Sequence, residues 1–233
     1  MKNARLVGIS ITLVLLLAIT AGCVSTDNVE DTFDGEYDAN EDTVLTVKCR
    51  NGNIKVTRTN GDKVDLHVDI SAENQEKIDK LDIVVTEEGG NIDIETEFSG
   101  TTDEPNTDMT IKVPLDVHIE SVRASNGNVE VRIDLSKGDT QISSSNGNVE
   151  VTVEEGIEHN LTASSSNGNV MVFIDSRENV DIQMVTSNGK VEIYNLDVIL
   201  TTDEAKEKVG TMGTGGPLLK ISTSNGNVDL NET

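Results

Sequence analysis

Apolar and polar residues alternate along most of the chain, and the alternation is interrupted at intervals by Asn-Gly. Ser125-Asn126-Gly127-Asn128-Val129-Glu130-Val131 recurs over residues 145–151 and 166–172, with near copies at 187–193 and 224–230. Residues 51–56 and 89–94 carry weaker versions. From Asn126, the turn asparagines follow at spacings of 20, 21, 21 and 37 residues. Aligned on the turn Asn, the sequence resolves into columns. Three residues on stand Val129, Val149, Val170, Val191 and Val228, and five on stand Val131, Val151, Val172, Ile193 and Leu230. Four residues back are Val122, Ile142, Ala163, Met184 and Ile221, and two back are Ala124, Ser144, Ser165, Thr186 and Thr223. Alternate positions on both sides of the turn are apolar or small, which predicts two strands per unit. Asn-Gly supplies the backbone conformations of a tight turn at low steric cost.

Two arrangements compete for this pattern. Asn-Gly between alternating runs is the strongest local hairpin signal, and repeated hairpins would make an antiparallel meander. Near-identical units at a period of about 20 residues favour stacking like on like, with parallel strands about 4.8 Å apart. Stacking would also place Asn51, Asn126, Asn146, Asn167, Asn188 and Asn225 in a turn ladder, since identical side chains in register bond to one another. The favoured expectation is an all-β, single-domain β-solenoid of roughly 20-residue coils, mostly parallel, with short helical or loop insertions.

The remaining segments are less regular. Residues 64–70 alternate well, residues 72–80 read as a short helix, and residues 81–86, 91–98 and 109–113 read as strands, the last ended by Pro114. Residues 99–107 form a polar loop, and residues 201–216 are loop-like with a helical turn around 204–208. The last repeat ends at Leu230, with three residues to follow. A stack needs a cap at each end or its edge pairs with another chain. Either the 197–217 segment folds over the end, or the ends associate, making end-to-end self-association an expected partnership.

The N-terminus has a different pattern. Lys2 and Arg5 precede an apolar run from Leu6 to Ile19, followed by Ala21-Gly22-Cys23. Charge, length and small residues at the cleavage point mark a secretory signal. The run is shorter than the roughly 20 apolar residues of a membrane span, which is the alternative. Cys after Ala-Gly resembles a lipoprotein lipobox, with Thr20 where Leu is usual. That resemblance implies a lipoprotein signal peptide over 1–22, cleavage before Cys23, lipidation of its thiol and a cell-membrane location on the extracellular side, where a two-chain anchor gives stable residence. Only Cys49 then remains, too few for an internal disulfide. It lies in an alternating run and reads as a small buried thiol. Residues 24–43 hold eight acidic and no basic residues, so 23–43 reads as a lipidated Cys and acidic tether ahead of a domain over 44–233.

Composition narrows function. The 233 residues carry 42 Asp and Glu against 18 Lys and Arg, a formal charge of −24, and loss of Lys2 and Arg5 with a signal would make it −26. This charge has the wrong sign for a nucleic-acid binder, and with no Trp and 2% aromatics there are no platforms for base or sugar stacking. His67, His118 and His159 show no close metal-ligand spacing, and no nucleophile elbow or phosphate-binding Gly loop is present, so neither metal nor cofactor is expected. The calcium-binding nonapeptide pattern needs Asp where these turns carry Asn. Four residues after the turn Asn come Glu130, Glu150, Met171, Glu192 and Asp229, whose carboxylates would stack as a cation-attracting ladder. Adjacent like charges destabilise a sheet by tenths of a kcal/mol, which salt screens. Asn160-Leu161-Thr162 and Asn231-Glu232-Thr233 match the N-glycosylation sequon, Asn160 at a turn.

Residues 45–56, 60–66, 109–114 and the Ser-Asn-Gly-Asn-Val series together resemble the β-strand-repeat "putative adhesin" domain family, formally of unknown function, over about four-fifths of the chain. The resemblance implies a right-handed, mostly parallel β-solenoid on a secreted or membrane-tethered protein. The expected function is therefore a non-enzymatic surface lipoprotein, an adhesin or envelope-interaction module meeting a protein or glycan. The alternatives are an extracellular polysaccharide-acting enzyme on a β-helix, which requires a concave site with converging carboxylates and a His or Arg, and an envelope-sensing or scaffolding accessory.

Overall fold

The computed structural model describes residues 28–101 and 103–233, and the signal segment and Cys23 lie outside them. The described chain is all-β apart from one short helix. In order come β1 (Val29–Asp38), β2 (Val44–Asn51), β3 (Ile54–Thr59), β4 (Lys63–Ala72), α1 (Gln75–Asp79), β5 (Leu81–Glu88), β6 (Asn91–Phe98), β7 (Asn106–Pro114), β8 (His118–Asn126) and β9 (Val129–Leu135). There follow β10 (Thr140–Asn146), β11 (Val149–Ile157), β12 (Leu161–Asn167), β13 (Val170–Ile174), β14 (Val180–Asn188), β15 (Val191–Tyr194), β16 (Val198–Asp203), β17 (Glu207–Met212), β18 (Leu218–Asn225) and β19 (Val228–Glu232).

These strands form two large mixed sheets, neither closed. One has nine strands in the order β1-β4-β7-β3-β9-β11-β13-β19-β15, the other ten in the order β16-β17-β14-β18-β12-β10-β8-β2-β6-β5. Each Asn-Gly unit gives its first strand to the ten-stranded sheet and its second to the nine-stranded sheet. Neighbouring units pair parallel and in register, so like residues meet. Ile94, Val47, Val122, Ile142, Ala163, Ile221 and Met184 form one continuous row. Met109, Ile54, Val129, Val149, Val170, Val228 and Val191 form another. All these side chains are buried in a single hydrophobic core. Each large aliphatic taken from water contributes roughly 1.5–3 kcal/mol, so a thin aliphatic core built of many short rows suffices without aromatics.

Unit order in space departs from order in sequence. The C-terminal unit β18–β19 lies between β12–β13 and β14–β15. The expectation that the last repeat ends the stack is thereby corrected. β14–β15 is placed one position farther out, and the last residues of the chain return into the gap. At the other flank β2–β3 is interior, next to β8–β9, with β6 and β7 outside it.

Two further expectations are corrected. The acidic tether over 24–43 is in large part a strand: β1 pairs antiparallel with β4 from Val29↔Ala72 to Asp38↔Lys63. Val29, Phe33 and Tyr37 turn toward the core, and Asp31 and Gly35 interrupt the alternation that would have revealed it. Gly35 leaves room for the Tyr37 ring, which a Cβ at that position would strike. Residues 201–216 are not a loop with a helical turn, because β16 and β17 form an antiparallel ribbon added to β14. Pairing is mostly parallel, as the repeat pattern implies, and turns antiparallel only at the two flanks, where β1, β4 and β5 mirror the β16–β17 ribbon. The short helix is present as α1, N-capped by the Asn74 side chain on Lys77 N–H.

Candidate functional site

The turn stack is the most regular feature of the surface. Along the spatial order of units, Asn188 Nδ2 donates to Asn225 Oδ1, Asn225 to Asn167, Asn167 to Asn146 and Asn146 to Asn126, each at 2.8–2.9 Å. Asn51 stands apart from this chain of amides and donates instead to the Glu104 and Pro105 carbonyls. A second asparagine ladder runs beside the first. Asn53, Asn128, Asn148, Asn169 and Asn227 each accept, through Oδ1, the backbone N–H of the equivalent residue in the next unit. The last donor is Lys190. Among the described residues no unit lies beyond it, so no amide there requires an acceptor. The departure of Ser-Asn-Gly-Lys from Ser-Asn-Gly-Asn was a sequence signal that this unit is terminal. Asp108 plays the acceptor at the opposite flank, taking Asn53 N–H at 2.7 Å.

Inside the turns, Ser144, Ser165, Thr223 and Thr186 are buried and donate their hydroxyls to the carbonyls of Gly127, Gly147, Gly168 and Gly226, each at 2.8 Å. This satisfies carbonyls that burial would otherwise leave unpaired. Gly127 must be glycine: its φ is 147°, and a Cβ would overlap the Gly52 carbonyl of the neighbouring unit. Cys49 pairs with Ala124 in the small-residue column and is a buried free thiol whose pKa burial raises.

The outer face of the nine-stranded sheet carries Lys55, Glu130, Glu150, Met171, Asp229 and Glu192 in one row. Lys55 bonds Glu130 at 2.8 Å. Glu150 stands between Glu130 and Met171, and Asp229 between Met171 and Glu192. Burial and the neighbouring Glu192 charge raise the Asp229 pKa. Tyr194 donates to Glu192 at 2.5 Å. Among the described residues there is no cluster of His, Cys, Asp and Glu able to hold a metal ion.

The outer face of the ten-stranded sheet has a concave feature the sequence did not reveal. A polar cleft of about 400 Å³ is lined by Glu120, Ser121, Arg123, Asp139, Thr140, Gln141, Asn160 and Thr162. It spans β8, β10 and β12 where the turns enter these strands. The register shift against β2, between Leu45↔Ile119 and Thr46↔Ser121, makes Glu120 an extra residue in β8. Such bulges re-aim side chains. Asn160 donates both its backbone N–H and its Nδ2 to Asp139, at 3.0 and 3.1 Å, and accepts Leu218 N–H at 2.8 Å. The sequon residue Asn160 is thus exposed, with both side-chain polar atoms engaged in joining three units. The Asn160 donors hold the Asp139 carboxyl below its usual range. Arg123 donates to Gln141 across the cleft. His159 Nδ1 lies 3.9 Å from Asp139. His118 packs beneath Gly138, and burial lowers its pKa. An ionised Asp139 and fixed amide, hydroxyl and guanidinium groups suit hydrogen bonding to a polar ligand; a carboxyl held low in pKa is poorly suited to act as a general acid.

No family model matches this sequence, and no curated protein matches it. Solved structures do. One is described as a "putative cell adhesion protein" from Clostridium sporogenes, with a TM-score of 0.63 and 15% identity over 89% of this chain and 100% of that one. A "putative adhesin" from Parabacteroides distasonis superposes with a TM-score of 0.41 at 13% identity, and another from Bacteroides fragilis with 0.34 at 15%, each over 87% of this chain and 97% of the other. At such identity the first likeness speaks for a shared fold alone, and the two weaker superpositions carry no argument.

Proposed function

We propose that this chain is a non-enzymatic, lipid-anchored cell-surface module that presents an acidic right-handed β-solenoid to a protein or glycan. The observation that carries the reading is in-register stacking of repeated units. It offers the same polar groups at successive strand spacings on a rigid face, which suits repeated weak contacts with an extended partner better than enclosure of a small molecule. The likeness to a structure described as a cell adhesion protein supports the same direction. The cleft around Arg123 and Asp139 is the place on that face where fixed donors and acceptors converge. Cys23 is the anchor in this reading, with membrane residence through its lipid. The strand edges at the two flanks are where end-to-end association would occur.

Expression of the full chain in a bacterium with a palmitate label tests the anchor: label and membrane fractionation are expected for the native chain and lost in Cys23→Ala. Binding of the purified protein to intact envelopes and glycan arrays tests the module, with Arg123→Glu expected to weaken it. A second reading, a polysaccharide-acting enzyme, is favoured by the concave meeting of Glu120, Asp139 and Arg123. Release of reducing ends from extracellular polysaccharide, abolished in Glu120→Gln, would replace the binding module with that enzyme.

A further inference from the structure

Six Asn-Gly pairs occupy chemically equivalent turns, in the spatial order Asn51, Asn126, Asn146, Asn167, Asn225 and Asn188. Asn-Gly is the dipeptide in which backbone-mediated deamidation meets least steric opposition, because glycine has no side chain to hinder the attacking amide. The glycine nitrogen attacks the Asn Cγ, the Cγ–Nδ2 bond breaks and ammonia leaves. The resulting succinimide is opened by water at either carbonyl, leaving Asp or isoaspartate and one added negative charge. The reaction needs a free glycine amide and an Asn side chain able to rotate.

The stack withholds both at the inner turns. Gly52, Gly127, Gly147, Gly168 and Gly226 each donate their N–H to the Asn carbonyl of the next unit, at 2.8–3.0 Å. The side chains of Asn126, Asn146, Asn167 and Asn225 are held at both ends, since each Oδ1 also accepts a neighbour's amide. Asn188–Gly189 lacks these restraints. Its unit is terminal, so among the described residues no group accepts the Gly189 N–H and none donates to Asn188 Oδ1. The β16–β17 turn flanks this site by bonding the amides of Thr186 and Val191, leaving Gly189 between them. Asn188 keeps one donor contact set, to Asn225 Oδ1 at 2.9 Å and the Ser224 carbonyl at 3.5 Å.

We propose that Asn188–Gly189 is a site of spontaneous deamidation, left open by the same stacking that closes the five equivalent turns. The product has a structural consequence. A carboxylate at 188 cannot donate to Asn225 Oδ1, so two acceptors face each other and the terminal rung of the ladder is lost. The Gly226 amide is held by the Asn188 carbonyl, and isoaspartate lengthens the backbone at that point. Conversion at Asn225 is therefore expected to follow conversion at Asn188.

Incubation of the folded full-length protein at mildly alkaline pH and 37 °C, with peptide mapping by mass spectrometry and isoaspartate detection, tests this. Asn188 is expected to convert at least about tenfold faster than Asn126, Asn146 or Asn167, the slowing that follows when one net hydrogen bond must open first. In urea the turns are expected to convert at similar rates, which separates the effect of the fold from that of the sequence. Asn188→Gln, which keeps an amide in the terminal rung, is expected to remove the fast product. Equal rates at Asn188 and Asn146 in the folded protein, or a spread that survives unchanged in urea, would overturn the proposal.

Discussion

The middle of the stack and its two flanks solve one problem in different ways. Between β8–β9 and β18–β19 every unit has a neighbour on each side, and one set of residues satisfies every turn: Asn to Asn across the ladder, Ser or Thr to Gly carbonyl beneath it. At the flanks no next unit follows among the described residues, and individual contacts replace the repeat. Lys190 stands where an Asn has no amide to accept, Asp108 accepts at the other side, and antiparallel strands extend the sheets beyond β7, β6 and β14, leaving β15 as an edge of the nine-stranded sheet. A repeat is therefore maintained only where its partner exists. Departures from it identify the borders.

The sharpest way to break this comparison is to remove packing from the middle. Ile142 is fully buried in the central row, and Ile142→Ala is expected to cost about 2–5 kcal/mol in denaturant unfolding. Ile199→Ala, on the flanking ribbon where the side chain is 72% exposed, is expected to stay within about 0.5 kcal/mol. Similar losses at both positions would mean that the flank is packed as tightly as the middle.

The ladder offers a finer contrast. Asn167→Ala removes a donor to Asn146 and an acceptor for Asn225, two rungs at about 1 kcal/mol net each. Asn188→Ala removes the terminal rung alone and is expected to cost about half as much. Equal costs in thermal melts would show that the rungs do not contribute independently.

Smaller effects distinguish the N-terminal flank by pH. Burial, then the Glu87 charge, pushes the Tyr37 pKa up to about 12 from 10.0. A raised folded pKa means that the stability this group confers is complete below about pH 10 and is lost as pH rises toward about 12. Tyr37→Phe is expected to flatten this alkaline limb. His67 on β4 reaches across to Asp34 on β1 at 2.7 Å and to Asp69 on its own strand at 3.2 Å, and the Asp34 bond raises its pKa from 6.5. Its contribution is complete below pH 6.5 and is lost as pH rises through the folded value. Hydrogen exchange of β1 amides is expected to quicken over that window in the native protein and to show no such step in His67→Gln.

The smallest expected effect concerns the acidic row. Glu150→Gln removes a like charge beside Glu130 and is expected to raise stability by a few tenths of a kcal/mol at low ionic strength. The gain is expected to vanish in molar NaCl, where the Debye length is about 3 Å. The native thermal midpoint should rise over the same range of salt. A flat response would show that the row carries no net repulsion.

Much of this architecture could be read from residue spacing. The columns headed by Val129 and Val122 specify which face of each strand is buried, because side chains on a strand alternate strictly. The turn ladder needed only the observation that Asn recurs at the same place. The β1 strand was hidden because Asp31 and Gly35 occupy inward positions, and its pairing with β4 depends on residues 25 to 43 places away. The cleft was hidden for a related reason. Glu120, Asp139 and Asn160 belong to three different units and become neighbours only across strands, with Glu120 re-aimed by a bulge that leaves no local signature.

Spacing alone specified the units, their buried faces and their turns, since these follow from alternation within some ten residues. It did not specify the order in which the units stand. With the same columns and turn, one unit fits beside any other equally well, and near-identity removes the information that would rank the neighbours. Three-dimensional closure ranks them. The β16–β17 ribbon must lie outside β14, Lys190 supplies no acceptor for a further unit, and the last residues of the chain enter the gap between β12–β13 and β14–β15, where both of their edges find partners.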